Sequence, residues 1–297
     1  MPQYCGIFHK IRRVNMSKIK FVDGELENKE ECKKDLIQKV LLLKRIKLNL
    51  DNPVTIQDKL NYLKIYGNNK LRTRCADKIE LHNYCIEKLR KDICVPIIKI
   101  FDKPEDLLTY SFPNKFVLKC NHGWNMNIVC GDINKFNRTI SYNKIRKWLN
   151  TNFGENFYEI QYLNIPRKCF AEKYLDSDSN GLVDYKFWCF NGEPKLYTIN
   201  SDNCHQGSSS IVYYDMNHNE KPMYNNYTNR KPFSRPKHFN QMVEYAKKLS
   251  EGIEFVRIDF YEVNDTVYLG EMTFTPGAAT FKYNDPYNKI VGDMLKL

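Results

Sequence analysis

The sequence lacks a long apolar segment. An apolar run near its start that contains Leu41, Leu42 and Leu43 is interrupted by Lys44 and Arg45, whereas a membrane-spanning helix needs roughly 20 apolar residues. The first twenty residues are basic and contain no apolar core of the kind found in secretory signals. Ten cysteines are present, but no two stand at C-x-x-C spacing. We therefore expect a cytoplasmic protein with reduced thiols, not a disulfide framework or a zinc site.

Two common nucleotide-binding signatures are also absent. The sequence contains neither G-x-x-x-x-G-K nor G-x-G-x-x-G, which excludes a Walker A loop and the dinucleotide-binding fingerprint. There is no internal repeat. Hydrophobic residues make up 42% and aromatic residues 13% of the 297 positions, so a disordered chain is excluded. This length suffices for one large domain or for two to three lobes.

The positive charge is concentrated in the first third of the chain. The whole sequence has 46 basic and 35 acidic residues, for a net charge of +11. Residues 1–100 contain 22 basic and 12 acidic residues, whereas residues 101–297 contain 24 and 23. A basic surface can attract nucleic acid, anionic substrates or an anionic membrane. We expect an acidic polysaccharide or the inner membrane face as the partner of this region, and we do not expect nucleic acid.

Hydrophobic periodicity predicts an α+β fold. Three helices are predicted first, over residues 30–50, from an N-cap at Thr55 to Gly67, and after a cap at Asp77. Later helices are predicted over 142–150 and 240–249, and residues 202–235 are predicted to be rich in loops. Strands are predicted over 97–101, 116–120, 127–130, 169–174, 184–190, 195–200, 255–263 and 267–275.

The last predicted hairpin places two carboxylates and an arginine on one face. Arg257 and Asp259 lie two residues apart on one strand, as do Glu271 and Thr273 on the return strand, so each pair shares a face. Mg²⁺ is usually held by one or two carboxylates together with substrate phosphates. Both strands are apolar, and burying an unpaired carboxylate is costly. The pattern predicts a Mg²⁺ site, and the alternative is a solvated face with cross-strand charges.

Two further strand segments carry lysines suited to phosphate. Lys119 ends an apolar strand and precedes a short loop that contains His122 and Gly123. A lysine can bind phosphate as a point charge while loop N–H groups assist it, although a lone lysine at a strand end also occurs without a ligand. Asp184 and Lys186 share a strand face, as a ribose acceptor and a phosphate donor would.

The order of these motifs resembles the TupA-like ATP-grasp family. The resemblance covers about residues 40–297, and Glu271 to Gly277 is also similar to the E-x-N-x-x-P-G motif of D-alanine–D-alanine ligase-like members. The stretches that resemble the family are LDNPVT (50–55), DKL (58–60), ADK (76–78), FVLKCNHG (116–123), EKYL (172–175), DYKF (184–187) and GEMTFTPG (270–277). The family is linked to teichuronopeptide and other surface-polysaccharide biosynthesis.

The resemblance implies a fold in which two α+β lobes grip ATP between antiparallel sheets, after a basic helical N-terminal region. It implies four parts: a polar, basic arm (1–30), a helical N-terminal lobe (31–110), a central small lobe (111–175) and a C-terminal lobe with the metal site (176–297).

The resemblance also implies a role for each site residue. Those that would bind ATP are Lys78, Lys119 and Gly123 at the phosphates, Glu172, Lys173 and Leu175 at adenine, and Asp184 at ribose. Those that would hold Mg²⁺ are Asp259, Glu271 and Thr273, and those that would assist catalysis are Arg257, Lys186 and His122. Thr273 departs from the family, which has asparagine there. The loop 121–127 departs as well, because it has one glycine and contains Trp124.

The chemistry implied is ligation of a carboxylate to an amine through an acyl phosphate, with ATP and Mg²⁺, on a sugar acid or related precursor of capsule or cell-surface polysaccharide. Three alternatives stay open. The first is a kinase of the same fold, and the second is a glycosyltransferase, for which Asp176, Ser177 and Asp178 give a D-x-D match. The third is a basic binding module with a degenerate ATP site.

Overall fold

The computed structural model describes residues 19–22, 24–155, 157–176, 182–201, 210–223 and 233–297. Residues 1–18 of the predicted arm lie outside this part of the chain, as do Ser177 and Asp178 of the D-x-D match. The division into four parts therefore stays a prediction. Among the described residues, every helix is too short or too polar to traverse a lipid bilayer.

The predicted α+β class is confirmed, because the described residues form both helices and antiparallel sheets. The helices are α1 (Lys29–Lys44), α2 (Ile56–Tyr66), α3 (Asn69–Ala76), α4 (Glu80–Leu89), α5 (Arg138–Leu149), α6 (Phe239–Ser250) and α7 (Tyr287–Asp293). The strands are β1 (Phe21–Val22), β2 (Glu25–Leu26), β3 (Ile97–Phe101), β4 (Phe116–Cys120), β5 (Asn127–Cys130), β6 (Cys169–Lys173), β7 (Val183–Phe190), β8 (Glu193–Ser201), β9 (Ser210–Asp215), β10 (Glu220–Lys221), β11 (Phe255–Val263) and β12 (Thr266–Thr273).

A six-stranded antiparallel sheet, ordered β10-β9-β8-β7-β11-β12, forms the larger layer. Alternate residues of its central strand β7 enter two different cores: Phe187 and Cys189 pack with α6, whereas Trp188 and Phe190 pack with α2 and α7. Because both faces are covered, this strand end is continuously apolar instead of alternating. The polar residues at the other end of β7 therefore lie next to a buried region.

A four-stranded antiparallel sheet, ordered β3-β6-β4-β5, forms the smaller layer. Phe116, Leu118 and Cys120 of β4 point into its core. The residues between them, Val117 and Lys119, point to the opposite face because strand side chains alternate. This geometry turns Lys119 away from the small core.

Two predicted helices differ in extent from those observed. The first was expected to reach residue 50, but α1 ends at Lys44 because Arg45 adopts the left-handed conformation (φ 58°) and its N–H bonds the Leu41 carbonyl. Leu48 and Leu50 extend the apolar pattern and are buried, but they lie in the loop that follows α1 and not in the helix. The helix predicted over 142–150 begins earlier, at Arg138, where the Asn137 side chain caps it.

One short helix was not predicted. The pattern does not predict α3, which is mostly polar and begins where the Asn68 side chain accepts the Leu71 N–H at 3.1 Å. Asp77 follows α3 and accepts the N–H of Ile79 at 2.9 Å, so it does precede a helix as expected.

The prediction of a loop-rich segment over 202–235 is wrong for β9 and β10. Val212 and Tyr214 of β9 enter one core while Tyr213 enters the other. The sequence signal was the run of β-branched and aromatic residues in β9, which the surrounding polar residues obscured.

Close packing between α7 and the start of α2 gives a test of the fold. An added Cβ at Gly292 would lie 2.3 Å from the Val54 carbonyl oxygen and 2.9 Å from the Ile56 nitrogen. We expect Gly292→Ala to lower the free energy of unfolding by about 1–3 kcal/mol, because the clash is with backbone that cannot move cheaply. Urea denaturation measures the difference.

Gly131→Ala is the matched control, because its added Cβ meets no atom within 4 Å, and we expect a change within about 0.5 kcal/mol. Equal stability of the two variants would contradict the described packing of α7 on α2.

Candidate active site

The candidate site lies between the two larger sheets and consists of charged side chains from both. Ion pairs link its members, and the charge of Lys78 interacts with both Lys119 and Glu172. The charged cluster comprises four cations and four carboxylates, so it is formally neutral: Lys78, Lys119, Lys186, Arg257, Glu172, Asp184, Asp259 and Glu271. The sequence predicted a site role for each of these eight.

Arg257 joins the predicted metal ligands to one another. Its guanidinium donates to the two oxygens of Asp259 at 2.7 and 2.6 Å. Its Nη2 also lies 3.2 Å from Glu271 Oε1 and 3.1 Å from Thr273 Oγ1. The strand register explains this grouping, because Arg257 is opposite Thr273 and Asp259 is opposite Glu271. The guanidinium can do this because it presents five donors in a fixed plane.

Lys186 approaches Asp259 from the neighbouring strand β7, where the two residues are opposite each other. Its Nζ lies 2.6 Å from Asp259 Oδ2 and 3.0 Å from Asp184 Oδ2. Asp259 is 1% exposed. Burial raises its pKa, and the charges of Arg257 and Lys186 oppose that rise. A carboxylate this deep is tolerated because it has two cationic partners.

Lys78 connects the six-stranded sheet to the loop after β4. Its Nζ donates to the Gly123 carbonyl at 2.6 Å and lies 3.7 Å from Glu271 Oε2. Burial lowers the pKa of Lys78, and Glu271 opposes this. Burial raises the pKa of Glu271, but Lys78, Arg257 and Lys186 together lower it to about 2. Glu271 is therefore a carboxylate at neutral pH.

Gly123 must be a glycine for this contact to form. An added Cβ there would lie 2.8 Å from the Phe153 ring and 3.1 Å from Met126 Sδ. A larger residue would clash with these two side chains unless they moved.

Lys119 and Glu172 form the pair on the four-stranded sheet, with Lys119 Nζ 2.5 Å from Glu172 Oε1. Val117 of β4 is opposite Glu172 of β6. Lys119 lies two residues beyond Val117, so it shares a face with Glu172 as its diagonal neighbour. Both side chains are largely buried, at 13% and 10% exposure.

Within the part of the chain that the structure describes, no group satisfies one oxygen of Asp184. Its Oδ2 pairs with Lys186, but its Oδ1 is buried without a partner. An unsatisfied buried acceptor costs free energy, and a ligand hydroxyl would relieve that cost. Asp259, Glu271 and Thr273 add carboxylate and hydroxyl oxygens, which are the donors that Mg²⁺ prefers. The residues present thus fit both a ribose hydroxyl and a magnesium ion.

A small apolar surface borders the charged cluster. Leu175 is buried with Val95 and Val263, and Tyr261 packs against them. The Tyr261 ring crosses Gly270, where an added Cβ would lie 2.7 Å from it. Burial raises the pKa of Tyr261, and the nearby carboxylates of the cluster raise it further. This surface gives the predicted adenine role of Leu175 a structural setting.

Two predicted site residues do not join the charged cluster. The Lys173 side chain is exposed, and its backbone N–H bonds the Pro96 carbonyl at 2.9 Å. The His122 side chain is fully buried, with Nε2 3.1 Å from the Trp148 carbonyl. Burial lowers the pKa of His122 to about 4. The charge of Lys78 also acts on His122, and the catalytic role of His122 stays a prediction.

A buried lysine that the sequence did not single out holds the loop after β12. Lys64 of α2 is 1% exposed. Its Nζ donates to Asn61 Oδ1, to the Phe157 carbonyl and to the Ala278 carbonyl at 2.8, 2.8 and 2.7 Å. Ala278 and Ala279 adopt left-handed conformations (φ 54° and 51°), which are unfavourable for residues with a Cβ.

Other contacts hold the same loop. Asn61 Nδ2 donates to the Ala279 carbonyl at 2.9 Å, and Thr275 Oγ1 donates to buried Glu159 at 2.7 Å. Gln161 in turn donates to Thr275. Thr275 lies two residues after Thr273, so these contacts fix the backbone just beyond the strand of the predicted metal ligands. Helical spacing marks Lys64 as part of α2 but does not reveal its burial.

Comparison with known proteins identifies the family. The profile of the TupA-like ATPgrasp family matches residues 58–296. The chain belongs to this family, and the predicted ATP-grasp fold is thereby confirmed. A comparison with curated proteins found no match.

Solved ATP-grasp ligases are similar to this chain at low identity. D-Alanine–D-alanine ligase from Helicobacter pylori is 13% identical, with 75% of this chain and 61% of that chain covered and a TM-score of 0.37. The Bacillus anthracis enzyme complexed with ATP is 15% identical, with 89% and 81% covered and a TM-score of 0.41. The ATP-grasp ligase PsnB complexed with minimal precursor is 9% identical, with 75% and 60% covered and a TM-score of 0.38. The chain spans about 60% of the length of the Helicobacter ligase and of PsnB.

The contacts of buried Lys64 lead to a testable prediction about stability. We expect Lys64→Met to lower the free energy of unfolding by about 2–4 kcal/mol, because it leaves three buried oxygens without their donor. The control is Lys34→Met on the exposed face of α1, which we expect to change stability by less than about 0.5 kcal/mol. Chemical denaturation of both variants measures the effect, and a loss no larger than that of the control would contradict the role of Lys64.

The pH dependence of stability provides a second signature of Lys64. Burial lowers its pKa from 10.5 to about 7. Between these values the unfolded chain binds a proton that the folded chain releases, so the contribution of Lys64 to stability rises with pH. The wild-type protein should gain stability relative to Lys64→Met as the pH increases from 7 to 10. A constant difference across this range would contradict the lowered pKa.

Proposed function

We propose that this protein is an ATP- and Mg²⁺-dependent ligase that joins a carboxylate to an amine through an acyl phosphate, releasing ADP. The observation that supports the proposal most directly is the charged cluster. It brings four cations and the predicted metal ligands together between two antiparallel sheets in a member of the ATPgrasp family. Catalysis of phosphoryl transfer depends mainly on positioning and on charge stabilisation, which such a cluster can supply.

The residues divide by chemistry. Lys78 and Lys119 would neutralise ATP phosphates, since both ammonium groups are buried between the sheets. The free oxygen of Asp184 would accept a ribose hydroxyl. Leu175 and Tyr261 would contact the adenine ring from the apolar surface.

Asp259, Glu271 and Thr273 would hold Mg²⁺ through their oxygens. When bound, the ion supplies charge neutralisation at the phosphate oxygens. Glu271 is suited to this role because its pKa of about 2 keeps it ionised. Thr273 is a neutral donor, so the site has less negative charge than three carboxylates would give.

Arg257 would orient the reacting groups. Its guanidinium already lies within hydrogen-bonding distance of Asp259, Glu271 and Thr273. Donors fixed in a buried site stabilise charge that develops during reaction, because they need no reorganisation. In the proposed sequence a carboxylate oxygen attacks the γ-phosphorus and ADP departs. The amine then attacks the acyl carbon and phosphate departs.

The substrate class that we propose is a sugar acid or related precursor of a cell-surface polysaccharide, in keeping with the biosynthetic link of the family. An anionic substrate agrees with the basic N-terminal region. Several cations of that region already have acidic partners, among them Lys33 with Asp51 and Lys39 with Asp35. The exposed cations Lys44, Arg45 and Lys47 have no acidic residue within three positions in sequence.

Incubation of the full chain with Mg·ATP, a panel of sugar acids and a panel of amino acids tests this function. We expect ADP release that depends on both an acid and an amine, and a product heavier than the acid by the amine minus water. Mass spectrometry distinguishes this amide from a phosphorylated product. Phosphate retained on the final product would contradict a ligase activity and indicate a kinase activity instead.

The metal ligands are tested in the same assay. We expect Asp259→Asn combined with Glu271→Gln to reduce turnover at least about 100-fold, the size of effect seen when one preorganised charge-stabilising group is lost. Asp265→Asn is the control, since Asp265 lies at the exposed turn of the same hairpin. Unchanged turnover of the double variant at saturating Mg²⁺ would show that these residues do not hold the ion.

A further inference from the structure

Outside the charged cluster, one group of side chains among the described residues combines nitrogen, oxygen and sulfur donors. His82 lies in α4, and the segment after α4 folds back to bring Asp92 and Cys94 beside it. One donor atom from each of these three residues lies within 4.8 Å of the other two. His82 Nδ1 and Asp92 Oδ2 are 2.7 Å apart. The Cys85 thiol lies near Cys94 but outside this group of three donors.

The donors are buried on the sulfur side and accessible on the other. Cys85 is fully buried and Cys94 is 7% exposed, whereas the side chains of His82 and Asp92 are 17% and 37% exposed. An ion could therefore enter past the imidazole and the carboxylate. The Cys94 backbone N–H donates to Asp92 Oδ1 at 2.9 Å and thus orients the carboxylate.

We propose that His82, Asp92 and Cys94 bind one Zn²⁺, and that the Cys85 thiol moves toward them to become the fourth donor. Zinc takes four ligands drawn from thiolate, imidazole and carboxylate groups. Magnesium and calcium prefer oxygen ligands alone, so this site would not take the catalytic ion. The four residues are spaced H-x2-C-x6-D-x-C. The expectation of no zinc site rested on the absence of C-x-x-C, and this pattern differs from it.

The position of this zinc site suggests what it does. His82 lies one helical turn after Lys78. The backbone of Cys94 forms an isolated parallel β-bridge with Leu269 of β12, and the Leu269 N–H donates to the Ile93 carbonyl at 2.7 Å. Leu269 is two residues before Glu271. The ion would therefore fasten the helix that follows Lys78 to the segment that pairs with the strand of Glu271, and its role would be structural.

Metal content of the full chain tests the proposal. The protein is purified under reducing conditions without chelator, equilibrated with micromolar Zn²⁺, separated from free metal and analysed by plasma mass spectrometry. We expect about one zinc per chain, as for a closed structural site. We expect Cys94→Ser and Asp92→Asn each to weaken binding at least about 10-fold, as for loss of a group that supports a metal site. Cys130→Ser, which removes a buried thiol in β5, is the control and should keep its zinc.

Cobalt substitution checks the geometry independently of stability. Co²⁺ added to the zinc-free wild-type chain should give the absorption bands of a tetrahedral ion with thiolate ligands, and Zn²⁺ should abolish them. Asp92→Asn retains a soluble chain if Cys94→Ser does not fold, because Asp92 is partly exposed. Less than about 0.1 zinc per chain, or zinc that all three variants keep equally, would overturn the proposal. The group would then be a His82–Asp92 hydrogen bond beside two buried thiols.

Discussion

The buried ammonium group of Lys78 is the contact on which the site depends. It lies between the two larger sheets, bonded to the Gly123 carbonyl on one side and facing Glu271 on the other. Removing a charge from water is costly unless partners compensate it, so Lys78 requires both the loop after β4 and the hairpin of β11 and β12. The same requirement keeps Glu271 ionised, because Lys78 is the largest of the charges that lower its pKa.

The remaining charges extend this arrangement. Each carboxylate of the charged cluster has a cationic partner, and the eight charges balance. On the proposed function, Mg·ATP would bring both negative oxygens and a cation into this cluster, where each would meet groups of opposite charge that are already in place. Lysines would move from carboxylates to phosphates, and the released carboxylates would turn to the metal. The free oxygen of Asp184 is the exception, since it is available without any exchange.

The sequence was sufficient to predict the site residues whose grouping depends on the alternation of side chains along a strand. Arg257, Asp259, Glu271 and Thr273 share a face because side chains alternate along strands, and the structure brings all four together. The sequence could not show that the His122 ring is buried beside the Trp148 carbonyl, because that burial depends on α5, which is distant in sequence. Lys64 was missed for a related reason. Its partners Phe157 and Ala278 come from loops 93 and 214 residues away. The strand β9 was hidden by its polar flanks.

Equilibrium binding of a non-hydrolysable ATP analogue tests the central role of Lys78 most directly. Calorimetric titration in Mg²⁺ would compare the wild-type chain with Lys78→Met and with the exposed control Lys34→Met. Loss of a charge-assisted hydrogen bond costs about 1.5–3 kcal/mol, so Lys78→Met should weaken binding about 10- to 100-fold, while the control binds as the wild type does. Equal affinity of Lys78→Met and the wild-type chain would contradict the account.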